Sequence, residues 1–205
     1  DFAEIFFEDT YEGAVSLLSG KVDTSSTRHL WGAGIRILKG FQEVYGTTSD
    51  CTEEGLLKLA NELAASYHDA PIGIEFELAE RDAREAGIVP IDRESIDVSL
   101  DEKIGYLRVV DDAMNGYDPR IIQRMVRMTD CTQYVTIANT KGLYVRDVRN
   151  QQRIAATAVA KDGDKSQSNG ATIGGKAIGK KVAINDSTSV VYRVARVMHT
   201  LHLFR

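Results

Sequence analysis

The run Gly170-Ala171-Thr172-Ile173-Gly174-Gly175-Lys176-Ala177 is the stretch of this 205-residue chain whose residue types come nearest to a known chemical motif. It is one residue short of the phosphate-binding pattern G-x-x-x-x-G-K-[ST], which needs backbone N–H groups around the phosphates, a lysine, and a hydroxyl for Mg²⁺. Ala177 removes the hydroxyl. The polar residues 162–169 are not a buried strand that launches such a loop, and Gly179-Lys180-Lys181 is a poor helix start. The context predicts a mobile Gly/Lys loop over 161–181, with nucleotide binding through Gly170 to Lys176 as the alternative.

Two other groupings have the right atoms. His199 and His202 stand three apart on a predicted final helix, where they could share a metal. Zinc needs three or four ligands, and no Glu or Cys follows at a suitable spacing, so both read as surface or interface histidines. His29 and His68 are isolated and read as loop or helix-end residues. The pairs Glu53-Glu54, Asp101-Glu102 and Asp111-Asp112 read as helix-cap or solvated carboxylates, since general acid–base work needs convergence in a pocket. Cys51 and Cys131 have no obvious histidine partner, and no serine sits in a G-x-S-x-G elbow. Trp31 and the scattered tyrosines do not form a base-stacking platform. No catalytic, cofactor-binding or metal residue is therefore assigned.

The elements that must carry these residues predict an α+β fold: antiparallel β-meanders flanked by helices, in two α/β subdomains. Residues 3–8, 14–18, 21–27, 31–38 and 41–47 read as short strands, with Ser19-Gly20 and Lys39-Gly40 as turns. The stretch 21–27 is polar and suits an edge or surface. Asp50 or Thr52 caps a helix whose apolar stripe is Leu56, Ala60, Leu63, Ala64 and Tyr67, stopping before Pro71. Residues 72–78 alternate as a strand, 79–87 read as a short helix or loop, and 89–99 as a linker. Ser99 and Glu102 make a capping box for a helix that buries Ile104, Leu107, Val110 and Met114. A second meander follows over 120–129, 133–138, 143–148 and 153–161. Asp186 or Ser187 caps the last helix, whose stripe is Val190, Val194, Val197, Met198 and Leu201. The expected division is 1–70 as a first subdomain, 71–98 as strand and linker, and 99–205 as a central subdomain.

The bulk numbers fit an ordinary soluble domain: 43% apolar, 27% charged, net charge −5. No basic stripe points to nucleic acid; residues 120–127 interleave Arg with Ile and Met, as in a half-buried strand. No run approaches a membrane span. Two distant cysteines without a CxxC fit reduced thiols and a cytoplasmic location. The chain opens without Met in an apolar segment and closes at Arg205 in a predicted helix, so a fragment or processed product is expected.

The opening residues Asp1-Phe2-Ala3-Glu4-Ile5-Phe6-Phe7-Glu8-Asp9-Thr10 resemble the start of the TldD/PmbA family of peptide-processing metallopeptidases. Ser19-Gly20-Lys21-Val22-Asp23 resembles its D-G-K-V turn, and Gly32-Ala33-Gly34-Ile35-Arg36-Ile37 its G-V-G-I-R strand, with Val44-Tyr45-Gly46 following. Residues 99–103, Tyr117-Asp118-Pro119-Arg120-Ile121, Ile137-Ala138-Asn139 and Lys141-Gly142-Leu143-Tyr144-Val145 resemble its central segment in order and spacing. The pattern is closer to the TldD-type subunit than to its PmbA-type partner, and it covers most of 1–165.

The resemblance implies an N-terminal region that lacks the family's C-terminal metallopeptidase domain, where an H-E-x-x-x-H helix would hold zinc. It implies a homo- or heterodimer with a TldD/PmbA-type subunit, enclosing unfolded peptides, and a whole enzyme that uses metal-activated water. No cofactor is expected in this chain, and no nucleic acid or membrane partner. The older family name, modulator of DNA gyrase, gets no support from charge or composition. The expected role is scaffold, dimerisation and substrate enclosure; the alternatives are the Gly170 to Lys176 nucleotide site and a free-standing interaction module.

Overall fold

In a computed structural model the chain is described over residues 2–68, 73, 75–82 and 93–175. It is an α+β fold built mostly from antiparallel sheet. In chain order the elements are β1 (Phe2–Leu18), β2 (Lys21–Lys39), β3 (Gln42–Thr48), α1 (Glu53–Ala65), β4 (Ala79–Asp82), α2 (Leu100–Asn115), β5 (Ile121–Asn139), β6 (Leu143–Asp162) and β7 (Lys165–Gly175). The strand order is β3-β2-β1-β5-β6-β4, with β7 also paired to β6. β3 runs antiparallel to β2 over Ala33 to Lys39, and β4 runs parallel to β6 over Leu143 to Arg146.

Four pairs of predicted short strands turn out to be single long ones, and paired polar residues explain why. Between the predicted strands 3–8 and 14–18 lie Asp9, Thr10 and Glu12, which read as a break. Asp9 instead bonds His29 at 2.6 Å, and Thr10 donates its hydroxyl to Glu8 at 2.7 Å. Glu12 pairs with Arg28 at 2.6 Å. The same partners, Arg28 and His29, carry β2 through its own predicted break. In β5 the interruption at Asp130–Thr132 is absorbed by buried partners on neighbouring elements, and in β6 the buried Asn150 does the same. A cross-strand ion pair such as Glu12 with Arg28 supports a sheet locally.

The largest difference concerns the predicted mobile loop. Gly163, at φ 59°, turns the chain, and Lys165–Gly175 then pairs antiparallel with β6, from Asp162↔Lys165 to Gln152↔Gly175. The glycine at 170 answers to close packing: a Cβ there would stand 2.6 Å from the Ala156 carbonyl oxygen. Glu75–Leu78 lie outside any strand, and the short strand begins at Ala79; Ile72 and Ile74 are not among the described residues. The predicted linker holds a 3₁₀ turn at Ser95–Asp97. The predicted last helix, with His199 and His202, lies outside the described residues, as do Lys176 and Ala177.

The chain forms two compact units. One comprises the described residues of 1–10, 29–90 and 133–149; here α1 lies on β3. The Thr52 hydroxyl accepts the Gly55 N–H at 3.2 Å, and acidic Glu53 and Glu54 fill the first turn, as capping and the helix dipole require. The other comprises the described residues of 11–28, 91–132 and 150–205 and holds the buried core. Val15 and Leu17 of β1, Val126 and Met128 of β5, and Ile154, Ala156 and Ala158 of β6 pack against Leu107, Val110 and Met114 of α2. The Ser99 side chain accepts the Glu102 N–H at 3.2 Å, as the capping box predicts.

Candidate binding groove

Side chains alternate between the two faces of a strand. In the unit that carries α2, one face of β1, β5 and β6 is therefore spent on the core, and the residues between the core positions point the other way. Those intervening positions form a groove of about 710 Å³, bordered by Glu12 and Ala14 of β1, Ser26 and Arg28 of β2, Arg127 and Thr129 of β5, and Gln151 and Arg153 of β6. Arg28 is tied to Glu12. Arg127 and Arg153 are exposed, and their guanidinium groups make no ion pair or hydrogen bond among the described residues. The groove thus presents positive charge and amide or hydroxyl groups, with no aromatic side chain in its lining.

Beneath the groove the sheet is pinned by buried charge. Asp130, on the α2 side of β5, accepts a 2.8 Å hydrogen bond from Lys103 Nζ; the two side chains are 4% and 12% exposed. Its other oxygen, Oδ2, is buried without a hydrogen-bond partner among the described residues. Room for this carboxylate depends on Gly13, where a Cβ would lie 2.9 Å from both oxygens. Asp111 pairs with Arg124 at 3.1 Å and is buried, which corrects the expectation of a solvated Asp111-Asp112 pair; Asp112 alone is exposed. Buried Asn150 accepts from the Ser95 N–H and hydroxyl, both at 3.1 Å, and from the Thr132 hydroxyl at 2.8 Å. Its amide donates to the Arg93 carbonyl at 3.0 Å.

A second concavity, about 410 Å³, lies in the unit that carries α1, bordered by Phe6, Glu8, Trp31, Gly32, Gly34 and Tyr45 among others. Trp31 and Tyr45 are 58% and 61% exposed. Gly34 is what lets Tyr45 lie across β2: a Cβ there would come within 2.5 Å of the Tyr45 hydroxyl oxygen. Gly32 serves close backbone approach, since a Cβ there would lie 2.8 Å from the Thr48 carbonyl oxygen.

The remaining sequence candidates do not converge. His29 is spent on Asp9, and His68 is an exposed helix-end residue at φ 54°. Cys51 stands just before α1 and Cys131 borders the arginine groove; neither is in a disulfide. Glu53, Glu54 and Asp101 sit in first turns of helices. The Tyr106 hydroxyl, then Arg93, hold the Glu102 carboxyl below its ordinary range against desolvation. Burial, then that same carboxylate, push the Tyr106 hydroxyl up. Hydrogen bonds from the Thr52 hydroxyl and amide lower Asp50. Among the described residues no three His, Cys, Asp or Glu side chains could hold a metal together, so the residues seen here do not fit a zinc site. No helix among them is long and apolar enough to cross a membrane. Gly170–Gly175 lie in the β6–β7 ladder, which engages backbone groups a phosphate cradle would need.

What sequence reasoning missed was the arginine face. Arg28, Arg127 and Arg153 are about equally unremarkable in the sequence; only the alternation of Arg127 with the core residues Val126 and Met128 signalled an outward side chain.

The fold and its grooves define an α+β module that offers binding surfaces and no assembled catalytic constellation among its described residues. The same fold occurs in a protein named as a modulator of a DNA gyrase from Thermotoga maritima (TM-score 0.69, 18% identity, 95% of this chain and 43% of that one). It occurs again in one so named from Bacteroides thetaiotaomicron (0.64, 15%, 96% and 46%) and in TldE from Thermococcus kodakarensis (0.61, 14%, 96% and 43%). The chain belongs to the PmbA/TldD metallopeptidase family: residues 3–66 match the PmbA/TldA metallopeptidase domain 1 and residues 93–196 the PmbA/TldA metallopeptidase central domain. It spans less than half the length of each of those three structures. No curated protein matches it.

Proposed function

We propose that this chain is the N-terminal scaffold of a TldD-like metal-dependent peptidase, serving dimerisation and the enclosure of unfolded peptide substrates in the cytoplasm. The observation that carries the reading is the collinear match of domain 1 and the central domain over most of the chain. The two grooves add support as open concave surfaces large enough to receive a stretch of polypeptide. Zinc belongs, on this reading, to a further domain with an H-E-x-x-x-H helix, and the partner is a second TldD/PmbA-type subunit.

Two measurements test it. The reading frame beyond the Arg205 codon should encode H-E-x-x-x-H; a stop codon there would favour a free-standing interaction module instead. The purified 205-residue chain should leave peptides intact, and metal-dependent hydrolysis by this chain would overturn the proposal.

A further inference from the structure

We propose that the arginine face of the groove docks acidic stretches of extended polypeptide. This deepens the reading above, since it names the kind of segment that a substrate-enclosing region would select. The chain carries a net charge of −5, yet Arg28, Arg127 and Arg153 gather along one groove whose acidic lining residues are Glu12 and the buried Asp130, the latter paired with Lys103. Glu12 is already engaged by Arg28, which leaves Arg127 and Arg153 exposed without an acidic partner among the described residues.

The geometry suits carboxylates held on an extended backbone. Arg127 and Arg153 lie on the neighbouring strands β5 and β6, where side chains of one face stand about 5–8 Å apart. An extended peptide presents same-side carboxylates about 6.8 Å apart, so two can meet two guanidinium groups, each in a bidentate pair. Thr129 and Gln151 on the same face supply neutral hydrogen-bonding groups for the peptide amides. A nucleic acid strand is also anionic, but it binds through base stacking as well as charge, and this groove has no aromatic side chain to stack on.

The test is fluorescence anisotropy with the 205-residue chain and three labelled probes: a peptide alternating glutamate and glycine, its glutamine counterpart, and a single-stranded oligonucleotide of matched charge. The glutamate peptide should bind best and weaken as salt rises. Arg127→Gln or Arg153→Gln alone should weaken it about 2- to 5-fold, and Arg127→Glu/Arg153→Glu about tenfold or more. Circular dichroism confirms that each variant is folded; if the charge-reversed pair is not, the glutamine variants decide. Equal affinity for the glutamate and glutamine peptides, unchanged affinity in the folded variants, or tighter binding of the oligonucleotide would each overturn the docking face. These results are independent of the reading frame beyond Arg205, so the docking face and the peptidase scaffold can fail separately.

Discussion

Replacing Lys103 by methionine should expose how heavily the α2 unit relies on one buried ion pair. Lys103 donates to Asp130 at 2.8 Å, and the side chains are 12% and 4% exposed. The Oδ2 atom of Asp130 has no other partner among the described residues, so Lys103→Met leaves the whole carboxylate without one. Removing one member of a buried pair costs about 3–5 kcal/mol; the residual exposure of Lys103 argues for the lower end, about 3 kcal/mol. The carboxylate cannot swing away easily, because β1 passes it at Gly13, where even a Cβ would lie 2.9 Å from both oxygens. The double variant Lys103→Met/Asp130→Asn should recover about 2 kcal/mol of the loss, since a neutral amide of the same shape is cheaper to bury. Native-state hydrogen exchange of the α2 amides reads the effect where it occurs, with protection falling about 100-fold in the single variant. Trp31 lies in the other unit, so its fluorescence is the wrong probe for this opening. Protection within about threefold of the parent, or a double variant as destabilised as the sum of the two singles, would refute the reasoning.

Three further outcomes are expected. Asn150→Ala should cost about 2–4 kcal/mol in urea unfolding, because the Ser95 N–H, the Ser95 and Thr132 hydroxyls and the Arg93 carbonyl all lose a buried partner at once; a change under about 1 kcal/mol would argue against that network. Gly34→Val should push Tyr45 off β2 and perturb the neighbouring Trp31, shifting its emission maximum, whereas the exposed Gly40→Ala, which meets nothing within 4 Å but sits at φ 57°, should leave that emission unchanged and cost stability only through backbone strain. Glu102 has a depressed folded-state pKa, so it binds its proton more readily when unfolded; its contribution to stability is present above the ordinary glutamate value of about 4.3 and fades as pH falls through the lower folded value. Glu102→Gln should flatten that acid limb of a thermal-melting series, and an unaltered limb would count against the Tyr106 and Arg93 contacts as its cause.

Much of the local structure was legible. Thr52 and Ser99 cap their helices because a hydroxyl followed by acidic residues satisfies free N–H groups wherever it occurs. The apolar stripe of the second helix reached the core as Leu107, Val110 and Met114, because a 3.6-residue period puts them on one side whatever they meet. Strand continuity was not legible. Residues such as Asp9, Glu12, Asp130 and Asn150 look like interruptions until their partners are in place, and those partners lie far along the chain: Arg28 sixteen residues from Glu12, Lys103 twenty-seven from Asp130, Ser95 fifty-five from Asn150. The glycine-rich run at 170–175 failed for the same reason, since only β6, pressed against it, explains why Gly170 and Gly174 are small.

By itself, then, the sequence determined the α+β class, the helix N-caps, the tight turns and the family, because each depends on residues close together or on motifs kept in order. Tertiary structure alone decided which polar residues are buried pairs, that the glycine-rich run is a strand, and that Arg28, Arg127 and Arg153 share one face. Those outcomes depend on strand register, and a shift of one residue in register would carry every one of these side chains to the opposite side of the sheet.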